Sequence, residues 1–179
     1  MVSYADVFGY AGLDLLSPGK LSESLTRTNI SSAAVNSLRS VKTHSMINLA
    51  LVGTTAFSGA FVAGMDAGLA YNTFPKMGDH WIPNEILSMQ PLWRNFFENT
   101  ATVQFDHRML ALTTLSSIAL LYHRAKKTPV WSILPRIART PISGSLHMGL
   151  LQVSLGVATL LTYVPIELAV MHQVKCRII

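Results

Sequence analysis

Residues 103–122 read VQFDHRMLALTTLSSIALLY, a polar head of Gln104, Asp106, His107 and Arg108 that runs into an apolar helical stretch. The head belongs at a membrane boundary. Ionisable side chains are costly inside lipid, so a cluster at the lip of a spanning helix is read as functional. What His107 faces decides the rest.

The composition supports a membrane setting. Half of the 179 residues are hydrophobic and 13% are charged, against roughly 25% charged in a soluble domain. The mean hydropathy of +0.36 averages in a polar N-terminal segment and a long loop, so the helical stretches are more apolar than it suggests. The net charge of +5 is carried mainly by short basic segments beside apolar runs, which is a topology signal and not a nucleic-acid surface. Cys176 is the single cysteine, which excludes an internal disulfide and a Cys-based metal site within one chain. Any metal or cofactor must then be held by histidine.

Residues 1–40 are rich in Ser and Thr but carry Asp6, Asp14 and Glu23, acids that a transit peptide avoids. They are expected to be a polar, poorly ordered segment or a surface helix, with the transit peptide as the lesser reading. A membrane half-bundle follows over residues 41–179. Its first span is placed at 46–70, long enough for a hydrocarbon core of about 30 Å at about 1.5 Å per residue. Gly64 and Gly68 form a GxxxG pair there, and Ser58, Gly59, Ala60 and Ala63 thin the same region for close helix contact. Asp66 reads either as an interfacial carboxylate or as a cofactor-facing one. The loop that follows carries Trp81, Trp93, Phe96 and Phe97, suited to the headgroup layer or to a lid over a site.

The second span, 103–122, ends in His123, Arg124, Lys126 and Lys127, and the connection through Pro129, Pro135, Arg136, Arg139 and Pro141 is short, basic and Pro-broken. Positive charge marks the inner face. The third span is placed at 142–164, with Gly149 and Gly156 one heptad apart and Pro165 just beyond, and a fourth helix begins as a stub at 166–179. The fold class is therefore an all-α membrane protein with three transmembrane helices and a truncated fourth.

This topology sorts the six histidines. His107 and His172 fall on the outer face at matching depth, His44, His123 and His147 on the opposite face, and His80 in the outer loop. Two imidazoles from facing helices suit the axial positions of a haem iron; interfacial hydrogen bonding is the other reading of such residues. Arg108 would pair with a haem propionate or anchor at the interface. Asp106 would orient an imidazole, or serve, as Arg108 would, as a partner for the loop.

Three ordered runs, SGAFVAGMDAGLAYNTFPKMGDHWIP, RNFFENTATVQFDHR and LGVATLLTYVPIELAVMHQ, resemble the second half of mitochondrial haem A synthase, the cytochrome oxidase assembly enzyme. The resemblance covers residues 58–173. It implies an eight-helix inner-membrane protein of two similar four-helix bundles, multi-pass in the mitochondrial inner membrane, with the basic connection facing the matrix. It implies oxidation of a haem O methyl to the formyl of haem A, with electrons supplied from outside by a ferredoxin-type donor. His107 and His172 match the ligand pair of the C-terminal bundle, which holds haem b, and Arg108 stands beside it. The partners implied are lipid and haem, with a homo-oligomer left open and no nucleic acid.

The chain departs from the family pattern in two places. Nothing in it matches the first four helices, and Gln104 stands where the family's N-terminal half places a candidate catalytic glutamate before the ligand histidine. An amide cannot accept a proton in that role. No catalytic residue is assigned. The expectation is a fragment, the haem b-binding half, an oxidoreductase by family yet without turnover alone. A bis-histidine electron-transfer module and a non-catalytic assembly subunit are the alternatives.

Overall fold

The computed structural model describes residues 32–127, 130–134 and 136–176. Readings that concern the first 31 residues, Pro129, Pro135 or residues 177–179 lie outside these. The helices are α1 (Ser32–Gly64), α2 (Asn95–Glu98), α3 (Thr100–Lys127), α4 (Val130–Ile133), α5 (Arg136–Leu161) and α6 (Ile166–Cys176), with 3-10 turns at Ala67–Leu69 and Leu92–Arg94. Among the described residues there is no strand, only an isolated bridge between Met77 and His80. The long helices pack in chain order: α3 lies against both α1 and α5, and α6 lies against α5.

Two helical stretches, Asn36–Gly64 and Ala138–Leu161, are long and apolar enough to cross a membrane. Their large apolar side chains, among them Met46, Ile47, Leu49, Phe57, Leu150 and Leu161, lie on the outside of the molecule. A water-soluble fold would bury such faces. The hydroxyls of α1 bond back along the helix, Ser45 to the Val41 carbonyl at 2.9 Å and Thr54 to Ala50 at 2.9 Å, which satisfies them without water.

α3 is more polar because it is covered. Ala101, Thr102, Val103, Gln104, Thr114, Ile118, Leu121 and Ala125 are all buried. Its polar side chains meet α1 across the interface: Thr55 and Thr114 share a 2.8 Å hydrogen bond, and Ser117 donates to Asn48 at 2.6 Å while contacting His44 Nε2 at 3.1 Å.

Three boundaries differ from the sequence reading. Residues 32–40, assigned there to the polar segment, belong to α1. The first span stops at Gly64 and not at Ala70, because Asp66 takes a left-handed conformation (φ 50°) that a short polar side chain tolerates and a helix does not. Gly64 and Gly68 consequently share no helix face. A Cβ on Gly68 would sit 3.1 Å from Val164 of the α5–α6 turn, and one on Gly64 would meet nothing within 4 Å. Finally, α5 starts at Arg136 and runs through Pro141, which the sequence reading took as a break. α5 ends where Tyr163 (φ 61°) and Val164 (φ 57°) both turn left-handed, with Val164 N–H closing onto the Thr159 carbonyl at 2.8 Å. For β-branched Val164 that conformation is strained.

The loop before α3 is fixed by asparagines. Asn99 caps α3, its Oδ1 accepting from Ala101 N–H at 3.0 Å and Thr102 N–H at 3.2 Å, while its Nδ2 donates to the Glu85 carbonyl at 2.8 Å. Fully buried Asn95 bonds both the N–H and the carbonyl of Met89 at 2.9 Å. Phe97 meets Phe61 of α1 edge-on, while Trp81 and Trp93 are exposed.

Asn99→Ala should lower stability by about 1–3 kcal/mol, since it removes a cap and leaves buried N–H groups unpaired; thermal unfolding in detergent followed by circular dichroism measures this. A second expectation concerns pH. The Tyr71 hydroxyl donates to Glu85 Oε2 at 2.8 Å and holds that carboxyl below its ordinary value of 4.5. A depressed carboxylate adds stability above its ordinary value, which is lost as pH falls through the depressed one. Protection of the amides in residues 71–85, measured relative to their intrinsic exchange rates, should therefore fall below pH 4.5, and Tyr71→Phe should remove that pH-dependent part.

Candidate functional site

The polar head of α3 presents Gln104, His107 and Arg108 at helical spacings of three and four, so the three share one face. Two of them bind the loop. Gln104 Nε2 donates to the Tyr71 carbonyl at 3.1 Å, Arg108 Nη2 donates to the same carbonyl at 2.9 Å, and Arg108 Nη1 donates to the Lys76 carbonyl at 3.2 Å. Gln104 Oε1 and Arg108 Nε are buried with no partner. Asp106, half-buried, stands on an adjoining side of the helix.

His107 points into α1. Its Nδ1 lies 2.8 Å from Ser58 Oγ, and that hydroxyl donates to the Thr55 carbonyl at 2.8 Å. The edge of the ring rests on Gly59, where a Cβ would sit 3.1 Å from His107 Cε1. His172, on α6, repeats the arrangement against α5. Gln152 Nε2 lies 3.2 Å from His172 Nδ1 and donates to the His172 carbonyl at 2.6 Å, and a Cβ on Gly156 would sit 2.9 Å from His172 Cε1.

The other histidines lie elsewhere. His44 contacts Ser117, His147 bonds the Ser143 carbonyl on its own helix at 2.8 Å, and His80 and His123 are exposed. His107 and His172 each rest on the helix packed beside their own, and Arg108, one residue from His107, is engaged with the loop.

Sequence reasoning named Ser58, Gly59 and Gly156 only as small residues and passed over Gln152. A signal for Gln152 was present: it is the one amide in the apolar run LLQVSLG, four residues before Gly156, and a lone polar group in such a run needs a partner. In both cases a glycine and a polar side chain on one helix receive the imidazole of the next. Gly156→Ala should cost about 1–3 kcal/mol, because its Cβ and the His172 ring cannot share the space. Gly53→Ala, with open space at its Cβ, should be neutral or stabilising by up to about 1 kcal/mol. Thermal melts of the two variants in detergent compare them.

Residues 15–179 match the family model of the cytochrome oxidase assembly protein COX15-CtaA. The chain is 54% identical to haem A synthase COX15 of Arabidopsis thaliana over 123 residues, covering 69% of this chain and 26% of that protein. Against the human haem A synthase COX15 the identity is 50% over 123 residues, 69% of this chain and 29% of that protein. Against haem A synthase of Nitrosospira multiformis it is 41% over 170 residues, 95% of this chain and 44% of that protein. No solved structure matches the chain. It therefore spans less than half the length of these relatives. With residues 15–179 inside the family model, and the same residues supplying both histidine cradles, the chain belongs to the haem A synthase family, COX15-CtaA.

Proposed function

We propose that this chain is the haem b-binding bundle of a haem A synthase, with His107 and His172 as the axial ligands of the iron. The observation that carries this reading is the repeated cradle: two imidazoles, each seated on a glycine and each met at Nδ1 by a polar side chain. Ligating histidines are held in this way, through the ring nitrogen that does not meet the metal. Glycine leaves room for the ring where any other residue would fill it.

When bound, a bis-imidazole haem supplies one-electron transfer. The residues here would seat and orient it. Ser58 fixes the His107 ring, Gln152 holds the His172 ring, and Arg108 would meet a propionate with the donors that its loop bonds leave over. In the full-length relatives, oxidation of the haem O methyl would belong to the remaining length of the protein, with a ferredoxin-type electron donor. Gln104 supports that division: it is an amide, buried and bonded to the loop, and has no acidic proton to exchange.

In this reading α3 is a third span beside Asn36–Gly64 and Ala138–Leu161. Its 28 residues would reach about 42 Å; His107, Thr114 and Ser117 meet α1 and Gln104 and Arg108 meet the loop in place of lipid. The compartment is the mitochondrial inner membrane, on the strength of the higher identity to the plant and mammalian relatives; the bacterial relatives make a bacterial membrane the alternative.

The chain produced in membranes and supplied with haemin should show a six-coordinate, low-spin haem b spectrum. His107→Ala should abolish that spectrum, and the chain alone should not convert haem O to haem A. Absorption spectra of the detergent-solubilised protein, with chromatography of extracted haems, test all three.

A further inference from the structure

We propose that the end of the bundle opposite His107 binds the phosphate of an anionic phospholipid, which is held by Lys126 and Arg139 around the Trp131 ring. The proposal does not use the haem reading; it rests on α1 and α5 crossing a membrane.

The helix register sets the place. His44 meets Ser117 while Ser58 meets His107, so α1 and α3 run antiparallel. α4 packs against both of them, and Arg139 of α5 reaches Trp131 of α4. The start of α1, the end of α3, α4 and the start of α5 therefore share one end of the molecule.

Charge is divided between the two ends. The acids among the described residues are Asp66, Asp79, Glu85, Glu98, Asp106 and Glu167, which fall on the outer loop, the head of α3 and the start of α6. The opposite end carries Arg39, Lys42, Arg124, Lys126, Arg136 and Arg139 and, among the described residues, no acid. The one ion pair among the described residues, Arg94 with Glu98, lies on the outer loop. The charge of the opposite end is thus left for a partner outside the described protein, and that partner is an anion.

Positive charge at an inner face is a general topology signal. What makes a site here is a fixed arrangement. Arg139 is half-buried, its Nε donating to the Leu134 carbonyl at 2.7 Å and its Nη2 to the Ser132 carbonyl at 2.9 Å, which holds the guanidinium carbon 5.9 Å from the Trp131 ring centre. Lys126 Nζ stands 5.9 Å from the same centre and 4.7 Å from that of Tyr122, and the two rings meet edge-on at 6.3 Å. Ring faces attract cations, so one aromatic pair gathers two positive charges within about 12 Å of each other, near the Debye length of about 10 Å. Arg139 Nη1, without a bond among the described residues, and the exposed Lys126 ammonium offer charge-assisted donors to a phosphate.

The same arrangement favours a lipid over a phosphate in solution. Trp and Tyr at helix ends settle at headgroup depth, and the exposed apolar faces of α1 and α5 give the acyl chains a surface to lie on. A zwitterionic headgroup brings its own cation into the cluster, whereas an anionic one does not.

The test is fluorescence quenching of the chain in bilayers that contain brominated phosphatidylglycerol or, at equal mole fraction, brominated phosphatidylcholine. With Trp81 and Trp93 replaced by Phe, Trp131 should bind the anionic lipid at least about 10-fold more tightly. Lys126→Ala and Arg139→Ala should each weaken that binding about 5-fold, whereas Lys127→Ala and Arg136→Ala, which remove equal charge, should leave it within about 2-fold. Native mass spectrometry of the retained lipid gives the same comparison without a fluorescent reporter. A variant with Trp93 as its one tryptophan should show no preference between the lipids. Inorganic phosphate in excess, at constant ionic strength, should not displace the lipid. Circular dichroism with unchanged helical content qualifies each variant. Equal quenching of Trp131 by the two lipids, equal losses in all four charge variants, the same preference at Trp93, or displacement by inorganic phosphate would each overturn the proposal.

Discussion

The closest constraint on this structure is an imidazole edge against a helix backbone. At both Gly59 and Gly156 a Cβ would come within about 3 Å of a histidine carbon, nearer than atoms pack without displacement. The absence of two side chains therefore sets how closely α1 approaches α3 and α5 approaches α6. Helices in lipid gain little from hydrophobic exclusion and associate through close packing and interhelical hydrogen bonds. Both are concentrated at these contacts. Along α1 and α3 the pairs Ser58 with His107, Thr55 with Thr114, and Asn48 with Ser117 form a polar ladder. Each such bond in a membrane is worth roughly 0.6 kcal/mol, so the ladder fixes register more than it adds stability.

The ladder also accounts for the composition of α3. A helix with Gln, Asp, His and Arg in its first turns and Thr and Ser further along would be poorly suited to face lipid. Flanked by α1, α5 and the loop, it buries Thr102, Gln104 and Thr114 and leaves the apolar Met109, Leu112 and Leu120 on its outer side. The apolar criterion for a span therefore selects the outer helices and passes over the central one. In the proposed three-span reading, burial against protein, and not hydropathy, is what would make α3 tolerable at membrane depth.

Much of this could be read from the sequence, and the omissions have physical causes. The helical character of residues 103–122 and the role of Arg108 as a loop partner depend on periodicity and charge, which are local signals. The end of α1 depends on the backbone conformation of Asp66, which no hydropathy pattern reports. Pro141 within α5 was misread because proline usually breaks a helix, whereas here it falls in the second turn. Ser58 and Gln152 were missed for a different reason. Their importance lies in the partner they meet, and a serine in a small-residue stretch or a glutamine in an apolar run carries no label for a histidine that is 49 or 20 residues away.

The loop completes the mechanical connection between the two cradles. Tyr71 and Asn72 are adjacent, yet they bind different helices. The Tyr71 carbonyl takes hydrogen bonds from Gln104 and Arg108, which flank His107 on α3. The Asn72 side chain donates to the Gly68 carbonyl and, also at 3.0 Å, to the Leu160 carbonyl on the last turn of α5. Just beyond Leu160 the chain reverses through Tyr163 and Val164 into α6, and Val164 packs on Gly68. One dipeptide thus joins the turn that carries His107 to the turn that launches the helix of His172. A displacement of this segment would shift both rings together, whereas a change at Ser58 or Gln152 would move one. The loop therefore ties the ends of α3 and α5 to each other, while Ser58 and Gln152 each hold one ring against the helix behind it.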